Sequence, residues 1–199
     1  MTSKIIFLNG CSSAGKTSLV KAIQYLSEEP WLTFGIDDGI DAMPNKYWGS
    51  GEKAAEGFHF ISSIDREGFP ITEVKTGPYG AKVWNSVPKI VKLLADDGFN
   101  IIVDEVILDK KELEIYAAAL KSHRVYYVKV NCELALMEER EILRGDRSLG
   151  MARAQMLKMK DLSWNYDLEI DTSRTSSFTK AQDILEFLKE RAIGFFKNT

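Results

Sequence analysis

The chain has 199 residues, 45% hydrophobic and 28% charged, and its 26 basic and 29 acidic side chains leave a net charge of −3. That balance fits one folded domain with room for a small insertion; it excludes a disordered chain and argues against a nucleic-acid partner, which would call for a basic excess. No apolar run approaches the ~20 residues that span a bilayer. The N-terminal stretch lacks the apolar core of a secretory leader, and the two cysteines (Cys11, Cys132) and two histidines (His59, His123) form no disulfide or zinc framework, so a reducing cytoplasm is the expected setting.

Lys4 to Leu8 is a short apolar strand, followed by a glycine-bearing turn and a helix from Lys16 to about Leu26 that Pro30 stops. Trp31 to Ile36 reads as a second strand ending at Asp37-Asp38, with a short helical piece before Pro44. Residues 45–80 are the least regular. Phe58 to Ile64 and Phe69 to Lys75 flank Asp65-Arg66-Glu67-Gly68 as a hairpin, and the whole stretch is an inserted excursion rather than a separate domain. Alternation then resumes: helix Tyr79 to Asp96, strand Asn100 to Leu108, helix Lys110 to Lys121, strand Arg124 to Val130, helix Glu133 to Arg144, helix Met151 to Leu162, strand Tyr166 to Ile170, helix Ser177 to about Ile193. The last helix repeats Phe178, Ala181, Leu185, Leu188 and Ala192 on one face. Strands alternating with helices predict an α/β fold, a parallel sheet of about five strands covered by helices on both faces.

Gly10-Cys11-Ser12-Ser13-Ala14-Gly15-Lys16-Thr17 matches G-x-x-x-x-G-K-[ST], which arises by chance in roughly one per cent of chains this long. The glycines let the loop curl so that its N–H groups face phosphate oxygens, and the helix behind it aims its positive end at the same point. Lys16 then reaches the β- and γ-phosphates and the Thr17 hydroxyl reaches Mg²⁺. No Asn-Lys-x-Asp element follows a later strand (Asn45-Lys46-Tyr47-Trp48 lacks the Asp), which disfavours a GTPase and leaves a compact kinase.

A kinase needs an acid near Mg²⁺, a group that orients the acceptor hydroxyl, and cations for the transferred phosphoryl. Asp104 closes the apolar run Ile101-Ile102-Val103 at the rim where ligands of open α/β sheets collect. It either holds Mg²⁺ or caps a helix, with Glu105 as a weaker competitor. Asp37 ends the second strand on the same rim and either takes the alcohol proton or caps the next helix; Asp38 suits the cap better. Arg140, Arg144 and Arg147 cluster at a helix–loop–helix junction, as a phosphate lid over residues 140–152 or as a solvated face in which Glu141 pairs Arg144.

Leu8 to Lys16, Glu29-Pro30-Trp31-Leu32 through Asp37, Asp41-Ala42-Met43-Pro44, Ile101 to Asp104, Arg144-Gly145-Asp146-Arg147 with Gly150-Met151-Ala152, and Asp171-Thr172 together resemble the chloramphenicol phosphotransferase family, in the same order over most of the chain. The resemblance implies a fold like that of adenylate and shikimate kinases, with ATP and Mg²⁺ as cofactors and a hydroxyl of chloramphenicol or a similar antibiotic as acceptor. It makes Asp37 the base. It gives ATP the loop Gly10, Cys11, Ser12, Ser13, Ala14, Gly15, Lys16, Thr17 and Ser18, gives Mg²⁺ Thr17 and Asp104, and sets Lys16 and the three arginines on the phosphates. Thr172 and Ser173 fall where related kinases pass the adenine. Glu105 stands in place of an Asp, and residues 45–80 depart from the family, carrying Tyr47, Trp48, Phe58, His59, Phe60 and Tyr79 where an acceptor pocket would form. A nucleotide sensor without turnover and a kinase for another metabolite or nucleoside are the alternatives. The segment Ala192 to Phe196 packs on its own core or in a homo-oligomer.

Overall fold

The computed structural model describes residues 3–145 and 148–196, with side chains to 191. Five strands form one sheet: β1 (Lys4–Asn9), β2 (Trp31–Gly35), β6 (Asn100–Glu105), β7 (Arg124–Asn131) and β8 (Leu168–Asp171), in the order β2-β6-β1-β7-β8. Every pairing is parallel, with Ile5 opposite Ile101 and Val125. The period of two along β1 divides the core. Ile6 and Leu8 face one layer, packed by Leu19, Val20 and Ile23 of α1 (Lys16–Leu26), Met137 of α6 (Leu134–Arg144), and Ala181, Ile184 and Leu188 of α8 (Ser177–Phe196). Ile5 and Phe7 face the other, against Val87, Val91 and Ala95 of α4 (Val87–Asp96) and Leu113 and Tyr116 of α5 (Lys110–Ala119). Burial on both faces explains why β1 and β6 read as unbroken apolar runs. Among the described residues no helix is long and apolar enough to cross a membrane.

Several boundaries differ from expectation. The helix foreseen over 79–96 is two, α3 (Pro78–Trp84) and α4, broken at Asn85-Ser86 because Pro88 lacks an N–H for a continuous ladder and is accommodated in the first turn of a new helix. The strand foreseen to Leu108 ends at Glu105. The buried Asn9 side chain accepts from the Ile107 N–H (2.8 Å) and donates to the Ile107 carbonyl (3.1 Å), which takes Ile107 out of the ladder. β2 stops at Gly35, so Asp37 lies in the first turn of α2 (Ile36–Asp41) rather than at a strand end. Phe178 is half-exposed, in edge-on contact with the exposed Tyr25, while Ala181, Ile184 and Leu188 form the buried face of α8. The side chains of 192–196 lie outside the described residues.

The irregular excursion folds as a second, three-stranded sheet of β3 (Trp48–Gly49), β4 (Phe58–Ile64) and β5 (Pro70–Thr76), with β4 and β5 antiparallel from Phe58 opposite Thr76 to Ile64 opposite Pro70. At the hairpin turn the Asp65 carboxylate accepts the N–H groups of Glu67 and Phe69 (both 2.9 Å), and Gly68 takes the left-handed φ of 89° that a side chain resists. This sheet docks on α7 (Met151–Met159). Thr72 N–H donates to the Gly150 carbonyl (3.2 Å), the Thr72 hydroxyl donates to Leu149 (2.9 Å), and Arg153 joins Glu138 (2.7 Å) and Asp65 (3.4 Å) while lying 4.1 Å over the Phe69 ring.

Glu141, expected as a partner for Arg144, sends its carboxylate into the start of α7. It accepts the N–H groups of Gly150 (3.0 Å) and Ala152 (2.6 Å), and only 1% of the residue is exposed. A helix start buried without an acceptor is costly, and charge-assisted bonds of this kind contribute about 1.5–3 kcal/mol each. Glu141→Ala is expected to destabilise the fold by about 2–4 kcal/mol, lowering the thermal midpoint by roughly 5–15 °C, whereas Glu141→Gln loses less than half of that; thermal denaturation of both variants checks it.

Candidate active site

The loop between β1 and α1 is shaped by what its carbonyls bind. Lys16 Nζ, on a 7% exposed residue, donates to the carbonyls of Gly10 (3.0 Å) and Cys11 (3.2 Å). Arg140 Nη1 donates to the Ser13 carbonyl (3.2 Å), and the Thr172 hydroxyl donates to that of Ala14 (2.7 Å). Gly15 and Ser13 take positive φ angles of 88° and 60°, and Gly10 passes so near Val130 that an added Cβ would lie 2.6 Å from its carbonyl oxygen. With these carbonyls bound away from the cleft, the N–H groups at the start of α1, which have no intrahelical acceptor, converge on it. That cradle of amides plus one ammonium suits the phosphate tail of a nucleotide.

A cleft of about 950 Å³ opens from this loop. Ser12, Ser13, Gly15, Lys16, Thr17 and Ser18 form its floor, joined by Asp37, Asp104, Arg140, Arg144 and Thr172 from the expected set. Lys16 Nζ is 3.6 Å from Asp104 Oδ1, and the Thr17 hydroxyl donates to Asp104 Oδ2 at 3.4 Å. Thr17 and Asp104 therefore present two hard oxygen donors side by side, the sparse protein contribution that Mg²⁺ takes when phosphates supply the rest. Among the described residues no group of three or more His, Cys, Asp or Glu is placed to hold a metal. Asp38 caps α2 by accepting the Gly35 N–H (2.7 Å), while its neighbour Asp37 is exposed to the cleft.

Other expected residues sit elsewhere. Cys11 and Ala14 point their side chains into the core and touch the cleft through backbone at most. The Cys11 sulfur is 3.9 Å from that of Met159, and burial pushes its thiol up to about 11, so it stays an inert thiol. Gly10 contributes its close approach to Val130, and the Ser173 hydroxyl accepts the Glu133 N–H (2.9 Å) outside the lining, where Thr175, Ser176 and Ser177 stand instead. Arg140, expected in a lid, has its guanidinium against the loop backbone, also donating to the Thr172 carbonyl (3.2 Å). Arg144 is exposed at the end of α6, and Arg147 lies outside the described residues.

The far wall is apolar: Ile36, Ile40, Trp48, Phe58, Val74, Trp84 and Val106, with Thr72, Glu73, Glu112 and Lys158 beside it. Trp48 and Phe58 come from the excursion and meet edge-on at 6.1 Å; Tyr47, His59, Phe60 and Tyr79 are not part of the lining. Sequence reasoning missed the contributions of α7, Met151, Ala154, Gln155 and Lys158. Their i, i+3, i+4, i+7 spacing is that of a helix face, but nothing in it says what the face meets.

Glu105, next to Asp104, points away from the cleft into the core, where the Tyr116 hydroxyl donates to its Oε1 at 2.5 Å. Burial pushes its carboxyl up to about 8, with Asp104 and Asp37 adding to the rise and Tyr116 and Lys16 opposing it. A folded value above the ordinary 4.5 means that the contribution to stability is full below pH 4.5 and is lost as pH rises through about 8. Thermal midpoints of the protein without nucleotide or metal are expected to fall across that window, and Glu105→Gln, which keeps the acceptor for Tyr116, is expected to flatten the slope.

Comparison with known proteins bears on the family and the fold. Residues 3–189 match the family described as chloramphenicol phosphotransferase-like protein. A protein of Mycobacterium tuberculosis (strain H37Rv) that bears the name of a candidate O-phosphotransferase is 32% identical over 183 residues, which cover 92% of this chain and 81% of the relative. The fold is shared with the M. tuberculosis APS kinase CysC, solved with AMPPNP and APS (TM-score 0.62, 14% identity, 94% of this chain and 98% of that one). It is shared as well with a gluconokinase of Sinorhizobium meliloti 1021 (TM-score 0.59, 14% identity, 100% and 98%). The tunicamycin resistance protein of Deinococcus radiodurans is a further fold neighbour (TM-score 0.60, 16% identity, 94% and 96%). With its phosphate-cradling loop, its parallel five-stranded sheet and a family match over nearly its whole length, the chain belongs to the chloramphenicol phosphotransferase-like family.

Proposed function

We propose that the protein is an ATP-dependent O-phosphotransferase whose acceptor is a hydroxyl of a small molecule, chloramphenicol or a similar antibiotic. The observation that carries this reading is one cleft holding both the amide cradle at Lys16 and an acceptor wall of Trp48, Phe58 and Trp84, with Asp37 in the same lining. Its volume of about 950 Å³ lies at the upper end for small-molecule sites, enough for a nucleotide tail and an aromatic alcohol together.

When bound, the nucleotide supplies the phosphoryl group and Mg²⁺ offsets its negative charge. Thr17 and Asp104 would hold the metal. Lys16, kept straight by the Gly10 and Cys11 carbonyls, sets its remaining N–H toward the phosphates. Asp37 accepts the hydrogen bond of the acceptor hydroxyl, orients its oxygen for in-line attack and takes its proton. Arg144, at the end of α6 and in the cleft lining, supplies positive charge for the phosphates, while Arg140 steadies the loop. Phosphorylation of a hydroxyl adds charge and bulk to an antibiotic, which supports a resistance role.

Transfer from ATP to chloramphenicol, related antibiotics and a panel of metabolic alcohols tests the reading. Lys16→Ala is expected to lower kcat by about 10²–10³-fold or more, and Asp37→Asn by about 10²–10⁴-fold with ATP affinity unchanged. Full turnover in Asp37→Asn would remove the base. Tight ATP binding with no transfer to any alcohol would make the protein a nucleotide sensor, and transfer to nucleosides alone would move it to another kinase class.

A further inference from the structure

Gln155 is the α7 side chain that accepts a backbone N–H of the phosphate loop. Its Oε1 accepts the Ser12 backbone N–H at 2.6 Å, and both residues are buried. Because a backbone N–H can only donate, the contact fixes which end of the amide is which: oxygen on the loop, nitrogen away from it. Among the described residues Nε2 has no acceptor, yet it is not one of the buried polar atoms that lack a partner, and Gln155 lines the cleft. Its two N–H groups therefore open into the cleft beside the loop.

The position of α7 says what they meet. Gln155 stands beside Ser12 in the first half of the loop, and one turn further along α7 Lys158 is paired with Glu73 of the acceptor wall (2.9 Å). A side chain between the loop and that wall faces the place where a phosphoryl group would leave one and reach the other. We propose that Gln155 is a catalytic residue for the terminal phosphate: Ser12 holds its oxygen, and its Nε2 donates to the phosphoryl oxygens during transfer. This rests on the phosphotransferase reading above. A neutral donor held in place fits the task, because it stabilises charge as it develops and needs no reorganisation.

Binding of ADP and of the non-hydrolysable analogue AMPPNP, each with Mg²⁺, measured by calorimetry on the full chain, tests it without an acceptor. Gln155→Glu keeps an acceptor for Ser12 but replaces both donors with negative charge; Gln155→Leu fills the space and donates nothing. The expected result is ADP affinity within about threefold of the parent protein in both variants, with AMPPNP affinity reduced tenfold or more in Gln155→Glu and severalfold in Gln155→Leu. Equal changes for the two nucleotides, or none, would overturn the assignment. Tighter binding of both in Gln155→Leu would also overturn it, because Gln155 would then be a plug that nucleotide displaces. If one variant does not fold, the other still gives the ratio of the two affinities. A parent protein that binds neither nucleotide defeats the kinase reading itself, whereas a parent that binds both while the variants fail to discriminate defeats only the role of Gln155.

Discussion

A loop can present its amides to an anion only if its carbonyls are bound elsewhere. Here that constraint is met by three side chains from three parts of the chain: Lys16 on Gly10 and Cys11, Arg140 on Ser13, and Thr172 on Ala14. Each is a donor to a carbonyl in a place where water would otherwise compete, and each bond turns a peptide plane so that its N–H points the other way. The loop is thus preorganised by α6 and the residue that follows β8. Arg140 looks like a mobile cation in the sequence because no acid stands three or four residues from it on its own helix. In the fold its acceptors are the Cys132 sulfur and backbone oxygens 32 and 127 residues away.

α7 carries the same logic to the other side of the cleft. Its N-terminus is closed by Glu141, Arg153 ties it to the hairpin tip at Asp65, Lys158 ties it to Glu73, and Gln155 reaches the loop. One helix of nine residues (Met151–Met159) therefore sets the distance between the phosphate cradle and the sheet that supplies part of the acceptor wall. The buried carboxylate at its start matters for that reason: a frayed first turn would release the docked Gly150 and Leu149 carbonyls along with it.

The sequence makes some of this legible and hides the rest for identifiable reasons. β1, its glycine turn and α1 are readable because a strand buried on both faces must be apolar throughout and because few residue types tolerate the backbone of the loop. The placement of Asp104 follows from the same run. The break at Asn85-Ser86 is hidden because a proline in a first helical turn looks the same on paper as one that ends a helix. The early end of β6 is hidden because it depends on a side-chain bridge from Asn9, 98 residues distant from Ile107. Gln155 is hidden more deeply: a single glutamine on a helix gives no pattern, and its meaning comes only from the amide it faces.

The two halves of the site differ in how firmly they are tied to chemistry. The nucleotide side is built from backbone, and backbone geometry allows few alternatives, which is why a short motif specifies it. The acceptor side is built from Trp48, Phe58, Val74 and Trp84, side chains whose job is to exclude water and match a shape. The excursion is tied to α7 through Thr72, Glu73 and Arg153 rather than through those aromatics, of which Phe58 is itself buried against Trp48. On the proposed reading, the choice of alcohol rests on the wall and the capacity to phosphorylate it on the loop.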